Sequence, residues 1–346
     1  MKYSARQLHL LGTVVRPALA TLLIIGGIAL LARAGDPGVP AAPNAVAATP
    51  GVPRFVNHAS PPGIADKVGE PSIGSNWKSE QTFSNSMFSI GNGGRALLYG
   101  GFSAEVYRAT FDDCSSPAKT FWEAKPLFLA GTPRALGDPI LFTDHDTGRT
   151  FVSQLEGGTP AGSTTEITDD DGDTFTPSEG SSLPSDIDHQ TFGGGRYHDP
   201  RPPTASAYPN AIYYAAQSVA DARTARSDDG GVTFGPGFPM YSINECEGLH
   251  GHIKVSPNDG TVYVPNPGCG GDLPFHDVGA KQAVIVSEDN GMTWSVRPVP
   301  DSTTHGNGNE QNTRLQTRDP AVAIDADGTV YFVYQGEDRL TEVTDP

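Results

Sequence analysis

The sequence is short of basic residues. Its 346 residues include 23 Lys and Arg against 40 Asp and Glu, which gives a formal net charge of −17 at pH 7. A field of this sign repels polyanions, so it argues against nucleic acid and anionic membrane surfaces as partners. Residues 1–34 carry four of the basic residues and no acidic one, and without them the net charge is −21. The same field works against an anionic sugar unless a local cluster reverses it.

Several catalytic motifs are absent as well. The chain has no G-x-S-x-G nucleophile turn, no H-E-x-x-H motif, no phosphate-binding glycine loop and no C-x-x-C pair. These absences leave glycoside hydrolases open, because their catalytic carboxylates carry no local motif. Beyond the N-terminus there is no long segment with a 3.6-residue apolar period, whereas 41 Gly and 30 Pro favour short strands and turns. We therefore expect an all-β protein.

The N-terminus differs from the rest of the chain. Basic residues precede an apolar run at 18–32, which ends in a small-residue cleavage motif, Ala32-Arg33-Ala34. This pattern predicts a secretory signal peptide over residues 1–34, with an uncleaved anchor as the alternative. Residues 35–54 are rich in Pro and Ala and are expected to form a linker. The location predicted is secreted or cell envelope, with no membrane span after signal cleavage.

One short signature recurs at a fixed spacing. It reads T-D-D-D-G-D-T-F at 168–175, S-D-D-G-G-V-T-F at 227–234 and S-E-D-N-G-M-T-W at 287–294, in steps of 59 and 60 residues. In a tight turn the Asp accepts backbone N–H bonds, the Gly supplies a positive φ and the Thr adds a hydroxyl bond. Stepping back 58 residues finds a fourth copy at 110–121, with an insertion in its turn. The turn aspartates are Asp112, Asp170, Asp229 and Asp289.

This signature resembles the Asp-box, or BNR repeat, of the sialidase-like β-propellers. The resemblance covers roughly residues 66–346 and implies a β-propeller of four-stranded blades, in which each box joins the two outer strands of a blade. Propellers of this family usually have six or seven blades, whereas about four and a half fit into residues 55–346. We therefore expect the propeller to be C-terminally incomplete in this sequence, or to close through self-association.

The chain has three cysteines. Cys246 lies in the connection into the fourth blade and Cys269 follows the second strand of that blade, so both belong at the same mouth of the propeller. A disulfide between them is expected in an oxidising compartment. Cys114 is left over in the inserted turn, either free or with a partner outside this sequence.

Acidic and histidine side chains recur where each inner strand begins. G-E-P-S-I at 69–73, G-D-P-I-L at 137–141 and R-D-P-A-V at 318–322 are variants of one phrase, and D-H and H-G-H take the equivalent places in the third and fourth blades. In the family that the boxes indicate, chains enter inner strands from the mouth where ligands bind. The ring expected at this mouth comprises Glu70, Asp138, Asp188, His189, His250, His252, Arg318 and Asp319.

Two interpretations of this ring stay open. In the first, each acid caps local backbone amides while Pro fixes φ, and the ring is structural. In the second, the crowded carboxylates shift one another's pKa values and perform glycoside hydrolysis. The catalytic candidates are then Asp138, Asp188 and Asp319. The candidates for substrate contact are Glu70, His189, His250, His252 and Arg318.

The cofactor and partner expectations follow from the same residues. H-x-H at 250–252 without a further spaced ligand does not define a metal site, so no cofactor is required, although a bound divalent cation stays open. The resemblance also implies a test, because sialidases hold the substrate carboxylate with three arginines, the first in an R-I-P phrase. This chain has E-P-S-I there, so the triad is not found. The expected partner is a carbohydrate or, if the protein is a non-catalytic binding module, a carbohydrate or an extracellular protein.

Overall fold

The structure of the protein is a computed structural model. It describes residues 59–64, 69–76, 92–101, 105–112, 119–127, 135–156, 162–178, 188–218, 220–246, 249–271, 280–302 and 320–334. All of them lie in the compact unit Asn57–Pro346. They form strands and turns, and no helix occurs among them. The predicted signal peptide and linker lie outside the described residues, as do Cys114, Arg318 and Asp319.

The strands form antiparallel sheets in which neighbours along the chain pair with each other. The first sheet contains β1 (Gly69–Asn76), β2 (Asn92–Gly101), β3 (Glu105–Asp112) and β4 (Lys119–Pro126). The second contains β5 (Ala135–Thr143), β6 (Thr150–Glu156), β7 (Gly162–Thr168) and β8 (Thr176–Pro177). The third contains β9 (Asp188–Gly195), β10 (Ala211–Gln217), β11 (Asp221–Ser227) and β12 (Phe238–Ser242). The fourth contains β13 (Lys254–Val255), β14 (Val262–Cys269), β15 (Lys281–Ser287) and β16 (Ser295–Pro298), and β17 (Ala321–Ile324) pairs with β18 (Val330–Val333).

The sheets are arranged as the blades of a β-propeller. The first strand of each sheet contacts the first strand of the next, from β1 to β5, β9, β13 and β17. Meanders joined through their first strands make a propeller, with those strands innermost. The described residues hold four four-stranded blades and two strands of another. The fold class predicted from the sequence is therefore confirmed.

Aromatic side chains fill the space between blades 2 and 3. The ring centroids of Phe151 on β6 and Phe192 on β9 are 5.6 Å apart, and Phe192 lies 5.1 Å from Tyr214. Phe151 and Tyr214 are fully buried. Burying one such side chain is worth about 1.5–3 kcal/mol. This packing fixes β9 against blade 2 directly below the residues that begin both inner strands.

Blades 3 and 4 approach each other more closely, because β9 is glycine-rich. A Cβ atom on Gly193 would lie 2.6 Å from the carbonyl oxygen of Ile253, and one on Gly195 would lie 3.0 Å from Val255. Without side chains at these positions, β9 packs directly against the segment that leads into β13. The polar residues at the start of β9 are thereby brought beside His250 and His252.

The repeated signatures form one kind of turn between the third and fourth strands of their blades. Between β11 and β12, Asp229 Oδ1 accepts a bond from the Thr233 backbone N–H at 2.9 Å, and Oδ2 accepts the Thr233 hydroxyl at 2.6 Å. The Ser227 hydroxyl oxygen accepts the Gly231 N–H at 2.7 Å, and Gly231 has a φ of +84°. The Ser, the second Asp, the second Gly and the Thr of this signature therefore each have a bond or a backbone conformation to account for them.

The same bonds recur in the neighbouring blades. Asp170 holds Thr174, and Asp289 holds Thr293, through one backbone and one hydroxyl bond each. Asp112 ends β3 opposite Lys119. The turn that follows Asp112 lies outside the described residues.

Cys246 and Cys269 form a disulfide, as the sequence predicts. Cys269 ends β14, and Cys246 lies in the connection between β12 and β13. Since the second strand of a meander ends where the first begins, the bridge lies at the mouth of the propeller. It ties the connection into blade 4 to that blade's second strand.

Candidate functional site

Three consecutive residues at the start of β9 all hold Asp138 of β5. The carboxyl groups of Asp188 and Asp138 are hydrogen-bonded to each other. The backbone N–H of His189 donates to Asp138 Oδ2 at 3.3 Å, and Gln190 Nε2 donates to the Asp138 carbonyl oxygen. The carboxyl of Asp188, the backbone N–H of His189 and the side-chain amide of Gln190 therefore all contact Asp138 of the neighbouring blade.

Both inner strands are irregular at this point. In β5 the pairing with β6 shifts between Gly137 and Ile140, and in β9 the pairing with β10 shifts opposite Ala215 and Gln217. Each bulge contains a non-glycine residue in the left-handed region, Asp138 at φ +47° and His189 at φ +55°. Bulges re-aim side chains beside functional sites, and positive φ at a non-glycine residue costs about 1–3 kcal/mol unless the surroundings hold it.

The register gives His189 the place in blade 3 that Asp138 has in blade 2. Each is the first of two bulged residues that face one residue on the second strand, and each has a positive φ. The sequence pattern aligns the pair Asp188-His189 with this position as a unit. In the structure Asp188 lies one residue before the equivalent position, and this offset places its carboxyl against that of Asp138.

The two carboxyls interact strongly. Burial raises the pKa of Asp188, and the hydrogen bond and charge of Asp138 raise it further, while His189 acts in the opposite direction. A carboxyl this close disfavours the ionised form of Asp188. Both residues are half-buried, which leaves the pair reachable from solvent. Asp188 therefore keeps its proton to a higher pH than an isolated aspartate does, and it can act as a proton donor.

Three imidazoles lie on the side of β9 that faces blade 4. The His189 ring is 5.9 Å from the His250 ring and 6.4 Å from the His252 ring, measured between centroids. His252 Nδ1 is hydrogen-bonded to the Thr191 hydroxyl at 2.9 Å. His252 is exposed and His189 is half-buried, so both can meet a ligand at the mouth.

His250 has a different environment from its two neighbours. It is 1% exposed, and its Nδ1 donates to the Gly251 carbonyl oxygen at 3.0 Å. Burial lowers the pKa of His250 to about 3, and the nearby His189 and His252 lower it in the same direction. Its Nε2 has no hydrogen-bond partner among the described residues. His250 is therefore a neutral core residue that packs against His189 and Tyr241.

The structure thus brings together five of the residues expected in the ring, and it supports different roles for them. Asp138 and Asp188 form the carboxyl pair, His189 and His252 lie beside it at the mouth, and His250 is buried beneath. The backbone of Glu70 lies in β1, but its side chain lies outside the described part of the structure, as do Arg318 and Asp319 entirely. Their membership of the ring stays a prediction.

The described residues contain no group of three His, Cys, Asp or Glu side chains arranged to hold a metal ion. A bound divalent cation at the mouth stays a prediction from the sequence. A chelator-dependent change in melting temperature would reveal such a cation.

Sequence reasoning missed Gln190 and Thr191. Both are 1% exposed, and both contact a residue of the ring. The one available signal was the polar run D-H-Q-T at 188–191, which opens a strand that is otherwise Gly- and Phe-rich. Nothing in that run says which neighbouring blade each side chain would reach.

A separate pocket of 460 Å³ lies between the turn signatures of blades 3 and 4. Phe234, Phe238 and Met292 contribute its apolar walls. Strand direction places these turns at the opposite end of the blades from the start of β9. Its acids Asp228 and Asp229 already accept hydrogen bonds from Arg226 and Thr233, so the pocket offers no group for acid or base chemistry.

No protein-family model matches this chain, and no curated protein matches it. Among solved structures it is similar to a protein of unknown function from Dyadobacter fermentans, at 12% identity and a TM-score of 0.42, over 77% of this chain and 74% of that one. It is also similar to a Hadza microbial sialidase, at 16% identity and a TM-score of 0.40, over 68% of this chain and 47% of the sialidase. An endo-arabinase from Bacteroides thetaiotaomicron is 11% identical, with a TM-score of 0.39, over 69% of this chain and 84% of the enzyme.

Likenesses of this size carry no assignment of activity, and the propeller fold rests on the sheets themselves. The chain spans about half the length of the sialidase. Among the described residues, no helix is long and apolar enough to cross a membrane.

Proposed function

We propose that this protein is an exported β-propeller glycoside hydrolase whose general acid is the Asp138–Asp188 carboxyl pair. The observation that carries the proposal is the hydrogen bond between the two carboxyls, which together with burial raises the pKa of Asp188. Enzymes raise the pKa of a carboxylic acid in this way so that it can protonate a leaving group near neutral pH. Both acids lie on innermost strands, so the scaffold around them is rigid.

The first chemical step is proton transfer. The Asp188 proton passes to the glycosidic oxygen as the bond from that oxygen to the anomeric carbon breaks, and Asp188 is left as a carboxylate. If the second carboxylate is a base, it takes the proton of the water that attacks the anomeric carbon, and Asp188 regains a proton from solvent. If it is a nucleophile, it bonds to the anomeric carbon first, and Asp188 then takes the proton of the water that displaces it. His189 and His252 lie where they can hydrogen-bond to sugar hydroxyls at the mouth, and His250 supports them from below.

A second carboxylate is needed for this chemistry. Retaining glycosidases place their two carboxyls about 5–5.5 Å apart and inverting ones about 6.5–9.5 Å apart. Asp138 and Asp188 are in hydrogen-bond contact, which is too close for either arrangement, so the pair acts as one unit. We assign the nucleophile or base to Asp319 or Glu70, the two other acids expected at the mouth, which precede or begin the inner strands of blades 5 and 1. Arg318 is the proposed substrate contact beside Asp319.

We also propose that the propeller is of the sialidase-like, Asp-box kind. Three turns share one set of Asp and Thr hydrogen bonds at the junction of the outer strands, which supports their interpretation as Asp-boxes of a sialidase-like propeller. The cysteine bridge and the N-terminal leader pattern support export to an oxidising location, either secreted or in the cell envelope.

A non-catalytic module that binds a glycan or an extracellular protein is the second candidate. It is favoured by the fact that the described mouth residues supply one carboxyl unit rather than two separated ones. In that case the carboxyl pair and the exposed His252 would form hydrogen bonds to a ligand without turnover.

A hydrolysis screen separates the two candidates. Purified protein is tested against a panel of aryl glycosides that includes a sialoside, with Asp188→Asn and Asp319→Asn as variants and Asp327→Asn as the matched control. Asp327 is an exposed aspartate in the turn between β17 and β18, away from the mouth. We expect turnover by the wild type and the control, and a loss of 10²-fold or more in Asp188→Asn. Asp319→Asn should lose as much if Asp319 is the nucleophile or base, whereas retained turnover in this variant assigns that role to Glu70. Absence of turnover on every substrate would exclude the hydrolase and favour the binding module.

A further inference from the structure

Asp138 has a backbone conformation that an aspartate rarely adopts. Its φ is +47°, and Pro139 follows it, so the bulge in β5 cannot relax by forming a regular ladder bond at that proline. A strained residue of this kind persists when surrounding groups hold it in place. The question for this site is which group does so.

Gln190 is well placed to hold it. Its side-chain amide crosses from blade 3 to blade 2, where Nε2 donates to the Asp138 carbonyl oxygen. The side chain is 1% exposed, and its Oε1 has no hydrogen-bond partner among the described residues. A buried polar atom without a partner costs about 1–3 kcal/mol, and a methionine of similar size would avoid that cost. The amide is therefore explained by its bond to Asp138 and not by packing.

The bond from Gln190 to the Asp138 carbonyl also affects the position of the Asp138 carboxyl, because both groups belong to one residue. That carboxyl accepts the His189 N–H and is hydrogen-bonded to the Asp188 carboxyl. If the carbonyl were released, the backbone could relax toward negative φ and carry the carboxyl away from Asp188. The carboxyl contact would then be lost without any change to either acid.

We propose that Gln190 is a positioning residue that keeps the Asp138 carboxyl in hydrogen-bond contact with the Asp188 carboxyl. The inference rests on the proposed function for its catalytic meaning, since the pair is the acid of that reaction. The positioning itself is a property of the folded protein and can be measured without a substrate.

The test is an NMR titration of the full chain with ¹³C-labelled aspartate carboxyls. The Asp138 and Asp188 resonances are assigned by their loss in Asp138→Asn and Asp188→Asn. The test variant is Gln190→Met, and the control is Gln282→Met, which removes another fully buried glutamine amide from blade 4. We expect the titration midpoint of Asp188 to fall toward that of an ordinary aspartate in Gln190→Met and to stay at the wild-type value in Gln282→Met.

The same shift should appear in catalysis. A general acid must be protonated, so the high-pH limb of kcat/KM should move to lower pH in Gln190→Met and stay unchanged in Gln282→Met. If Gln190→Met does not fold, Gln190→Asn carries the same expectation, because its amide is one methylene too short to reach the Asp138 carbonyl. An Asp188 midpoint that is the same in wild type and in the folded Gln190 variant would overturn the proposal. A wild type without turnover would remove the hydrolase and leave the titration result standing.

Discussion

Arg226 Nη1 donates a hydrogen bond of 2.6 Å to the carbonyl oxygen of Asn290, which joins blade 3 to the signature turn of blade 4. The same guanidinium is held by Asp228, whose Oδ1 accepts from Arg226 Nε at 2.8 Å. Asn290 has a φ of +60°, a conformation that turns its carbonyl out of the strand ladder. The arginine therefore satisfies a carbonyl that faces the neighbouring blade.

The relationship repeats around the propeller. Arg108 of blade 1 donates to the Asp171 carbonyl at 3.2 Å, and Arg149 of blade 2 donates to the Gly230 carbonyl at 2.8 Å. Asp171, Gly230 and Asn290 each hold the fourth position of their signature, and each has a positive φ. The turns thus do more than close a hairpin, because each provides an acceptor for an arginine of the preceding blade.

Replacing Arg226 with Met should destabilise the junction of blades 3 and 4. The substitution removes a charge-assisted bond to Asn290 and leaves the partly buried Asp228 without its ion pair, which together should cost about 2 kcal/mol. Arg297→Met is the control, because Arg297 and Glu288 form an exposed pair that should contribute less than about 1 kcal/mol. Urea unfolding measures the free energy of unfolding of both variants. Equal losses would show that the bond from Arg226 to the Asn290 carbonyl does not stabilise the junction of blades 3 and 4.

Two glycines separate backbone strain from steric overlap. Gly231 and Gly270 both have positive φ, +84° and +75°. A Cβ on Gly231 would overlap the Phe151 ring, whereas one on Gly270 would meet nothing within 4 Å. We expect Gly231→Ala to cost roughly 3 kcal/mol or more and Gly270→Ala about 1 kcal/mol in urea unfolding. If both variants lose the same free energy of unfolding, the packing of the turn against Phe151 is not important.

His250 should make the protein less stable in acid. Its pKa in the folded protein is about 3, below the ordinary value of 6.5, so the unfolded chain binds a proton over this window and the folded protein does not. Stability should therefore fall as pH drops below 6.5, by about 2 kcal/mol at pH 5 from this residue. His250→Gln should flatten the pH dependence of the melting temperature between pH 7 and 5, and exposed His145→Gln should not. The same slope in both variants would show that His250 is not the group responsible.

The sequence was most informative where one residue type has one physical task. The signature turns could be placed from letters alone, because Asp229, Gly231 and Thr233 each make a local bond or adopt a local conformation. The pairing of Cys246 with Cys269 followed once the strands had been counted. Both successes depend on contacts within one blade.

Contacts between blades could not be predicted in the same way. The sequence aligns Asp188-His189 with Asp138 as a unit and does not say which of the two residues takes that place, whereas the strand register gives it to His189. That difference of one residue decides whether two carboxyls meet. Gln190 was missed for the same reason, since its partner is a backbone carbonyl on another blade.

Asp188→Asn separates the structural interpretation of the carboxyl ring from the functional one. Burial and Asp138 raise the pKa of Asp188 in the folded protein, so the unfolded chain releases this proton at lower pH than the folded one. The group therefore favours folding in acid, and that contribution is lost as pH rises through the folded pKa. Asparagine mimics the protonated acid, so the variant should melt at a higher temperature than wild type at pH 7 and at about the same temperature at pH 3. Differential scanning fluorimetry at both pH values, with Asp327→Asn as the control, measures this. An acid retained for catalysis is expected to destabilise the fold. A variant that melts at a lower temperature than wild type at pH 7 would instead mean that the ionised Asp188 caps backbone amides and stabilises the strand.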